Sequence, residues 1–122
     1  MDKKSVVVEE LGRAGPYSHS VIANSMIFLS GQLGVKENSD NSFEQQFRRA
    51  ASNVEKILAQ SNSSMKNIVR VVVYMKNQGD FELMNKLFKE VFSIATPART
   101  TVVCNFPNDK ALIELEVTAV TQ

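Results

Sequence analysis

Hydrophobic positions along this chain keep two rhythms. Up to residue 33 they come in short runs broken by turn residues. SVVVE (5–9) predicts a short strand, and RAGPYSHS follows as a loop with Gly15 and Pro16 as breakers. SVIANSMIFLSGQL (20–33) predicts two strands turning at Ala23–Asn24–Ser25, the second centred on Met26–Leu29. From Ser42 the period changes. Phe43, Phe47, Ala50, Val54, Ile57 and Leu58 recur at spacings of three and four, the stripe of an amphipathic helix. Ser42 with Gln45 predicts a capping box at its start, and Asn62–Ser64 ends it. IVRVVVYM (68–75) is too β-branched and too short for a helix and reads as a central strand. A second helix follows Gly79, with Asp80 as N-cap and Phe81, Met84, Leu87, Phe88, Val91 and Phe92 inward. Pro97 punctuates, TTVVC (100–104) is a strand, Asn105–Lys110 a turn, and ALIELEVTAV (111–120) the last strand.

The order is β-β-β-α-β-α-β-β, an α+β fold of two layers with both helices on one face of a sheet. Several strands are apolar on both faces. Val69, Val71, Val73 and Met75 alternate with Val72 and Tyr74, and Met26 and Phe28 with Ile27 and Leu29. Two helices cover one face only, and no residues remain to cover the other. A bare apolar sheet face exceeds the few hundred Å2 that monomers tolerate. The pattern therefore predicts an oligomer whose subunits close over the bare faces.

Composition narrows the possibilities without naming a chemistry. The 122 residues predict one domain, 1–122, with a single core, and 43% hydrophobic with 22% charged residues is the balance of a folded protein. A formal charge of +1 supplies no strong field for nucleic acid or an anionic membrane. Apolar runs fall far short of the roughly 20 residues of a transmembrane span. The start, MDKKSVVVEE, meets acidic residues before any signal-like region, so a cytoplasmic location is expected. One cysteine (Cys104) and one histidine (His19) exclude an internal disulfide and the usual zinc sites. No metal is needed to hold the chain together.

A few polar residues stand where burial is expected. Arg99 lies behind Pro97 at the mouth of a strand. It either reaches solvent or a backbone carbonyl, or serves as a fork-shaped receptor for a carboxylate. Glu114 and Glu116 share one face of the last strand, opposite Ile113, Leu115, Val117 and Ala119; they line a solvated face, or one of them handles a water in a cleft. Asn85 falls inside the second helix's apolar stripe and needs a partner, in the chain or in a ligand. Tyr17 sits in the Gly15–Pro16 loop. Ser30–Gly31–Gln32 closes an apolar strand, where Gly31 admits close approach or simply ends the strand. His19, with no second histidine, is expected to face solvent.

Taken together, these segments resemble the RidA/YjgF (Rid) family of reactive-intermediate deaminases, nearly end to end. AGPYSHSV is similar to the family's GPYSQA, IFLSGQLG to its strand ending in SGQ, and MKNIVRVVVYMKNQGDFELMNKLFKEVF to its strand and second helix. TPARTTV resembles its PAR(S/T) motif, and FPNDKALIELEVTAV its closing LP…IEIEAIA strand. The resemblance implies a chorismate-mutase-like subunit in a homotrimer with clefts between neighbours. It implies that Arg99 binds the substrate carboxylate and that Glu114 holds the attacking water, with Glu116 its structural neighbour. Tyr17, Ser30, Gly31, Asn85 and Thr101 are then the substrate-binding positions, Thr101 contributing mainly backbone where relatives often carry cysteine. His19 replaces the commoner glutamine, and the 36–42 loop is a few residues short of the family pattern.

The implied reaction is hydrolysis of imines and enamines of 2-oxo acids, such as 2-iminopropanoate, 2-iminobutanoate and 2-aminoacrylate, to a 2-oxo acid and ammonia. It requires no cofactor, because an iminium is already electrophilic. The competing expectation is a family member employed differently: a small-carboxylate binder, a chaperone-like protein or a translation-inhibiting endoribonuclease. The near-neutral charge and the lack of a basic, aromatic-rich stripe count against RNA as its main partner.

Overall fold

The computed structural model describes residues 2–122. Its elements are β1 (Lys3–Val6), β2 (Ser20–Ala23), β3 (Met26–Leu29), β4 (Gln32–Leu33), α1 (Phe43–Gln60), β5 (Ile68–Met75), α2 (Phe81–Phe92), β6 (Ala98–Val103) and β7 (Ile113–Val120). All strands join one sheet in the order β1-β2-β3-β7-β5-β6, with β4 also paired to β7. Among the described residues only β5 and β6 run parallel. A parallel pair needs a crossover, and α2 supplies it.

The third expected strand breaks in two, at Ser30–Gly31. Phe28 faces Thr118 while Gln32 faces Leu115, so four steps along β3–β4 match three along β7. The extra residue is a bulge, which bends the strand and re-aims side chains beside it. A second bulge lies in β5 between Ile68 and Arg70. It puts Ile68 into the core and leaves Val69 exposed, against the simple alternation that placed Val69 with Val71 and Val73.

The core is one layer deep. Phe47, Val54, Ile57 and Leu58 of α1 and Met84, Leu87 and Phe92 of α2 are buried together with Ile27, Leu29, Val71, Val73, Met75, Ile113, Leu115 and Val117 of the sheet. All these strand residues point to one face. On the other face Val72, Tyr74, Val102 and Phe28 have no covering element among the described residues, and Phe28 is 50% exposed. The two-layer expectation holds, and so does its consequence of a bare apolar face.

Boundaries and caps differ in detail. β1 begins two residues before the expected 5–9 segment, and β6 begins at Ala98. Arg99 is therefore inside the strand and paired in register with Val71. The capping box of α1 is half formed: Ser42 Oγ accepts the Gln45 N–H at 3.4 Å, but the Ser42 N–H goes to Asp40 Oδ1 at 2.8 Å. Asp80 does not cap α2 with its side chain, because a 3-10 turn over Gln78–Asp80 runs straight into the helix. Phe81 is exposed, and Phe88 and Val91 are only half-buried.

Two residues tie α1 to the sheet in ways that hydrophobic periodicity does not reveal. Gln46 is fully buried, donating to the carbonyls of Asn41 (2.8 Å) and Lys110 (2.9 Å) and accepting the Leu112 N–H (2.9 Å). Gly34 packs so closely on the main chain of Gln46 that a β-carbon has no room there.

Candidate functional site

The seven candidate positions separate into two groups. Glu114 leaves β7 on the face turned away from the helices, since its neighbours Ile113 and Leu115 are buried beneath them. It is half-buried, and its carboxylate stands directly over Gly31: a β-carbon built there would lie 2.5 Å from Glu114 Oε2. The open position that the sequence assigned to Gly31 is therefore filled by the chain's own carboxylate. Burial pushes the Glu114 carboxyl above its ordinary value, and the nearby charge of Glu116 pushes it further. Glu116 in turn accepts a hydrogen bond from the Tyr74 hydroxyl at 2.7 Å, which raises the tyrosine's pKa.

Tyr17, Gly31 and Glu114 line one groove of about 460 Å3 at the β4 edge. Tyr17 is exposed, and its hydroxyl accepts the Ala14 N–H at 3.2 Å. Ser30 does not line this groove. Its hydroxyl donates to the Ser18 carbonyl at 2.7 Å, joining the Tyr17 loop to the β3–β4 bulge. The wall also includes His19, against expectation. His19 is buried, with both ring nitrogens bonded to main chain, so its role is inside the molecule and not at its rim.

The second group stands at the β6 edge. Arg99 pairs in register with buried Val71, so its side chain leaves the sheet on the helix side. There it meets α2. The Cζ atom is 4.9 Å from the Phe88 ring centroid and 5.9 Å from that of Phe81, and Nη1 lies 3.7 Å from Met84 Sδ. Among the described residues no carboxylate pairs with Arg99. A guanidinium stacked on aromatic faces keeps its in-plane N–H groups free for a planar anion. Thr101, two residues on, lines a neighbouring groove of about 550 Å3 with Gln78, Phe81 and Val103. Asn85 lies one helical turn from both Phe81 and Phe88. It is exposed, not buried in the apolar stripe, so no unpaired burial demands a partner within the chain.

Within one chain the two groups cannot meet. Arg99 aligns with Val71, and Val71 with Val117, so Glu114 is two strands across and three residues along from Arg99. At ordinary strand spacings that is about 14 Å between α-carbons, with the side chains on opposite faces. A three- or four-carbon acid cannot touch both. Phe81, Phe88 and Met84, which hold Arg99, were read as core from their spacing. That they lie beside the arginine follows only from the parallel β5–α2–β6 crossover. Among the described residues no cluster of His, Cys, Asp and Glu could hold a metal ion, and no helix is long and apolar enough to cross a membrane.

Comparison with known proteins sets this arrangement in a family. The family profile described as Endoribonuclease L-PSP matches residues 8–121. A RutC family protein of Pyrococcus abyssi is 32% identical over 98% of both chains. The 2-iminobutanoate/2-iminopropanoate deaminase of Dermatophagoides farinae is 31% identical over 84% of this chain and 83% of its own. Among solved structures, a protein of the Rid family from Yersinia pestis superimposes with a TM-score of 0.90 at 26% identity, covering 98% of this chain and all of its own.

Proposed function

The chain belongs to the Endoribonuclease L-PSP family, the RidA/YjgF group it resembles, and on that premise we propose that it is an imine deaminase. It hydrolyses 2-imino acids of the 2-iminopropanoate and 2-iminobutanoate type to 2-oxo acids and ammonia. The observation that carries the proposal is the unpaired, aromatic-backed guanidinium of Arg99 together with a half-buried carboxyl at Glu114. The deaminase name of the Dermatophagoides farinae relative supports the same reading.

The site is completed by a second copy. Arg99 and Glu114 face opposite sides of one sheet, so the substrate lies between the Arg99 edge of one subunit and the Glu114 groove of its neighbour. Each subunit uses both edges in the same head-to-tail sense, and such heterologous contacts form a ring when the rotation between neighbours closes. A homotrimer is the ring proposed, and it also covers the bare sheet face that carries Phe28 and Val102. The proposed compartment is the cytoplasm.

In this site Arg99 grips the substrate carboxylate with two parallel N–H bonds and so fixes the adjacent carbon. Glu114, ionised, accepts a proton from a water that attacks that carbon. The C–O bond forms as the C=N π pair moves to nitrogen. The proton then passes to nitrogen, the C–N bond breaks to release ammonia, and Glu114 takes the proton of the remaining hydroxyl as it becomes the carbonyl and hands it to the ammonia. An iminium and a water thus become a 2-oxo acid and ammonium. General acid–base help of this kind is worth about 100- to 10,000-fold.

The test generates 2-aminoacrylate, which tautomerises to 2-iminopropanoate, and follows release of 2-oxo acid and ammonia with and without the protein. Acceleration is expected. A second arm co-refolds equal amounts of Arg99→Ala and Glu114→Gln chains, each inactive alone. Random assembly rebuilds about a quarter of the composite sites. No acceleration by the wild type, with strongly salt-dependent RNA binding instead, overturns the activity. Activity without complementation overturns the composite site.

A further inference from the structure

The groove beneath Glu114 is walled by a loop that leaves β1 at Val6 and returns at β2, and one buried side chain holds that loop down. His19 is 2% exposed. Its Nδ1 accepts the Val8 N–H at 2.9 Å, and its Nε2 lies 2.7 Å from the Gly12 carbonyl oxygen. An amide N–H can only donate and a carbonyl can only accept, so Nδ1 is bare and Nε2 carries the proton. The imidazole therefore spans the base of the loop as an acceptor at one end and a donor at the other.

What lies beyond the clamp is the working wall of the groove. Past Gly12, the loop closes on itself through Arg13 Nη1 to the Tyr17 carbonyl (3.1 Å) and the Ala14 N–H to the Tyr17 hydroxyl (3.2 Å). These bonds shape the loop tip but do not attach it to the body. The attachment is at residues 18 and 19. The His19 N–H donates to the Val6 carbonyl at 2.9 Å, and the His19 carbonyl accepts the Ser30 N–H at 3.0 Å. The Ser30 hydroxyl reaches the Ser18 carbonyl at 2.7 Å. The same residue thus fixes both the loop bearing Tyr17 and the bulge whose Gly31 backs Glu114.

We propose that His19 is the positioning residue of the Glu114 half-site, and that a carboxamide can replace it where an apolar side chain cannot. A glutamine offers one acceptor and one donor at the end of a side chain of similar reach, so it can take both the Val8 N–H and the Gly12 carbonyl. Leucine fills the space and leaves both main-chain groups unpaired. Asparagine is too short to reach both. The consequence is kinetic. With the clamp gone, Tyr17 is placed loosely over the groove, which weakens substrate binding, while Arg99 on another strand and Glu114 on β7 keep their positions. The kinetic part of this inference rests on the proposed hydrolysis; the spectroscopic part does not.

The first measurement is made on the wild-type protein: the nitrogen-15 shifts of the His19 ring. A protonated Nε2 and a bare Nδ1 are expected, and a ring protonated at Nδ1 or averaging between tautomers overturns the clamp. The second compares His19→Leu with His19→Gln. In the leucine variant the Val8 amide should exchange with solvent about 10-fold faster or more. KM should rise about 10-fold while kcat changes little. The glutamine variant should restore both. Unchanged Val8 exchange in the leucine variant, or a glutamine variant as impaired as the leucine one, refutes the proposal. If His19→Leu does not fold, His19→Asn stands in its place. Should the wild-type protein show no imine hydrolysis, the proposed function fails, and the ring shifts and Val8 exchange still decide the clamp.

Discussion

At the β6 edge, Arg99 is held by side chains alone, two phenylalanine rings and a methionine sulfur. At the β4 edge, Glu114 lies against main chain: a glycine whose β-carbon position its carboxylate fills, beside a bulge and a loop that the His19 and Ser30 side chains tie to backbone groups. The first half is soft. Aromatic and thioether surfaces accommodate small shifts, and a stacked guanidinium can slide in its plane. The second half is brittle, because backbone cannot move aside without disturbing β2, β3 and β7 together. The contrast suits the proposed division of work. The carboxylate clamp adjusts to the substrate, whereas the group that moves a proton must be held within a few tenths of an ångström.

The largest effect is expected from Arg99→Lys. The charge stays, but an ammonium has neither the two-pronged geometry nor the flat face that lies against Phe88. Hydrolysis should fall by about 100-fold or more while the circular dichroism spectrum and oligomeric state persist. Near-wild-type turnover would remove Arg99 from its role. Next is Gly31→Ala. Its methyl group must displace the Glu114 carboxylate, so a loss of about 10- to 100-fold is expected. Binding of a small 2-oxo acid, measured by calorimetry, should suffer less than in Arg99→Lys. If Gly31→Ala left the rate unchanged, the Glu114 half would not be brittle. Smaller still is Phe88→Leu, which removes one stacking surface and should raise KM about 3- to 10-fold with little change in kcat. An equal fall in kcat would show that the soft half also governs the chemical step.

The same contrast marks what the residues alone could tell. Both helices and the apolar face of β7 were legible, because burial imposes periods of 3.6 and 2 on Phe43–Leu58 and on Ile113–Val120. So was the bare second face, by simple count of covering elements. Arg99 and Glu114 could be singled out as candidates, with a solvated alternative open for each until the family resemblance is added. Their separation onto opposite faces could not, because it depends on the parallel register of β6 with β5, a long-range fact. His19, Gln46 and Val69 were hidden for one common reason. Each owes its place to a turn or bulge that breaks the local period: the Val8–Gly12 turn, the Asn41 and Lys110 loop carbonyls, and the Ile68–Arg70 bulge. Asn85 failed in the opposite direction. It sits on the stripe's spacing but on the flank that turns to the β6 edge, where the helix leaves solvent access.

The smallest effect separates the halves most cleanly, since it sets stability against rate at one residue. Glu114 has a folded-state pKa raised above the ordinary carboxyl value, chiefly by burial and then by Glu116. A raised carboxyl favours the fold fully only below its unfolded value, and that contribution is lost as the pH climbs through the folded value. At neutral pH the ionised Glu114 therefore costs stability. Glu114→Gln has the same shape against Gly31 and no charge to desolvate. Its melting temperature should exceed that of the wild type by a few degrees at pH 7, and the gap should close as the pH falls through the raised folded value to the ordinary carboxyl range. Over the same range the wild-type rate should rise with pH as Glu114 ionises, and the variant should lack that rise. No comparable trade is expected at Arg99, whose guanidinium lies against aromatic rings. A Glu114→Gln protein that is less stable than wild type at pH 7 would mean that the carboxylate is welcomed in its groove, and the proton-handling role would lose its physical basis.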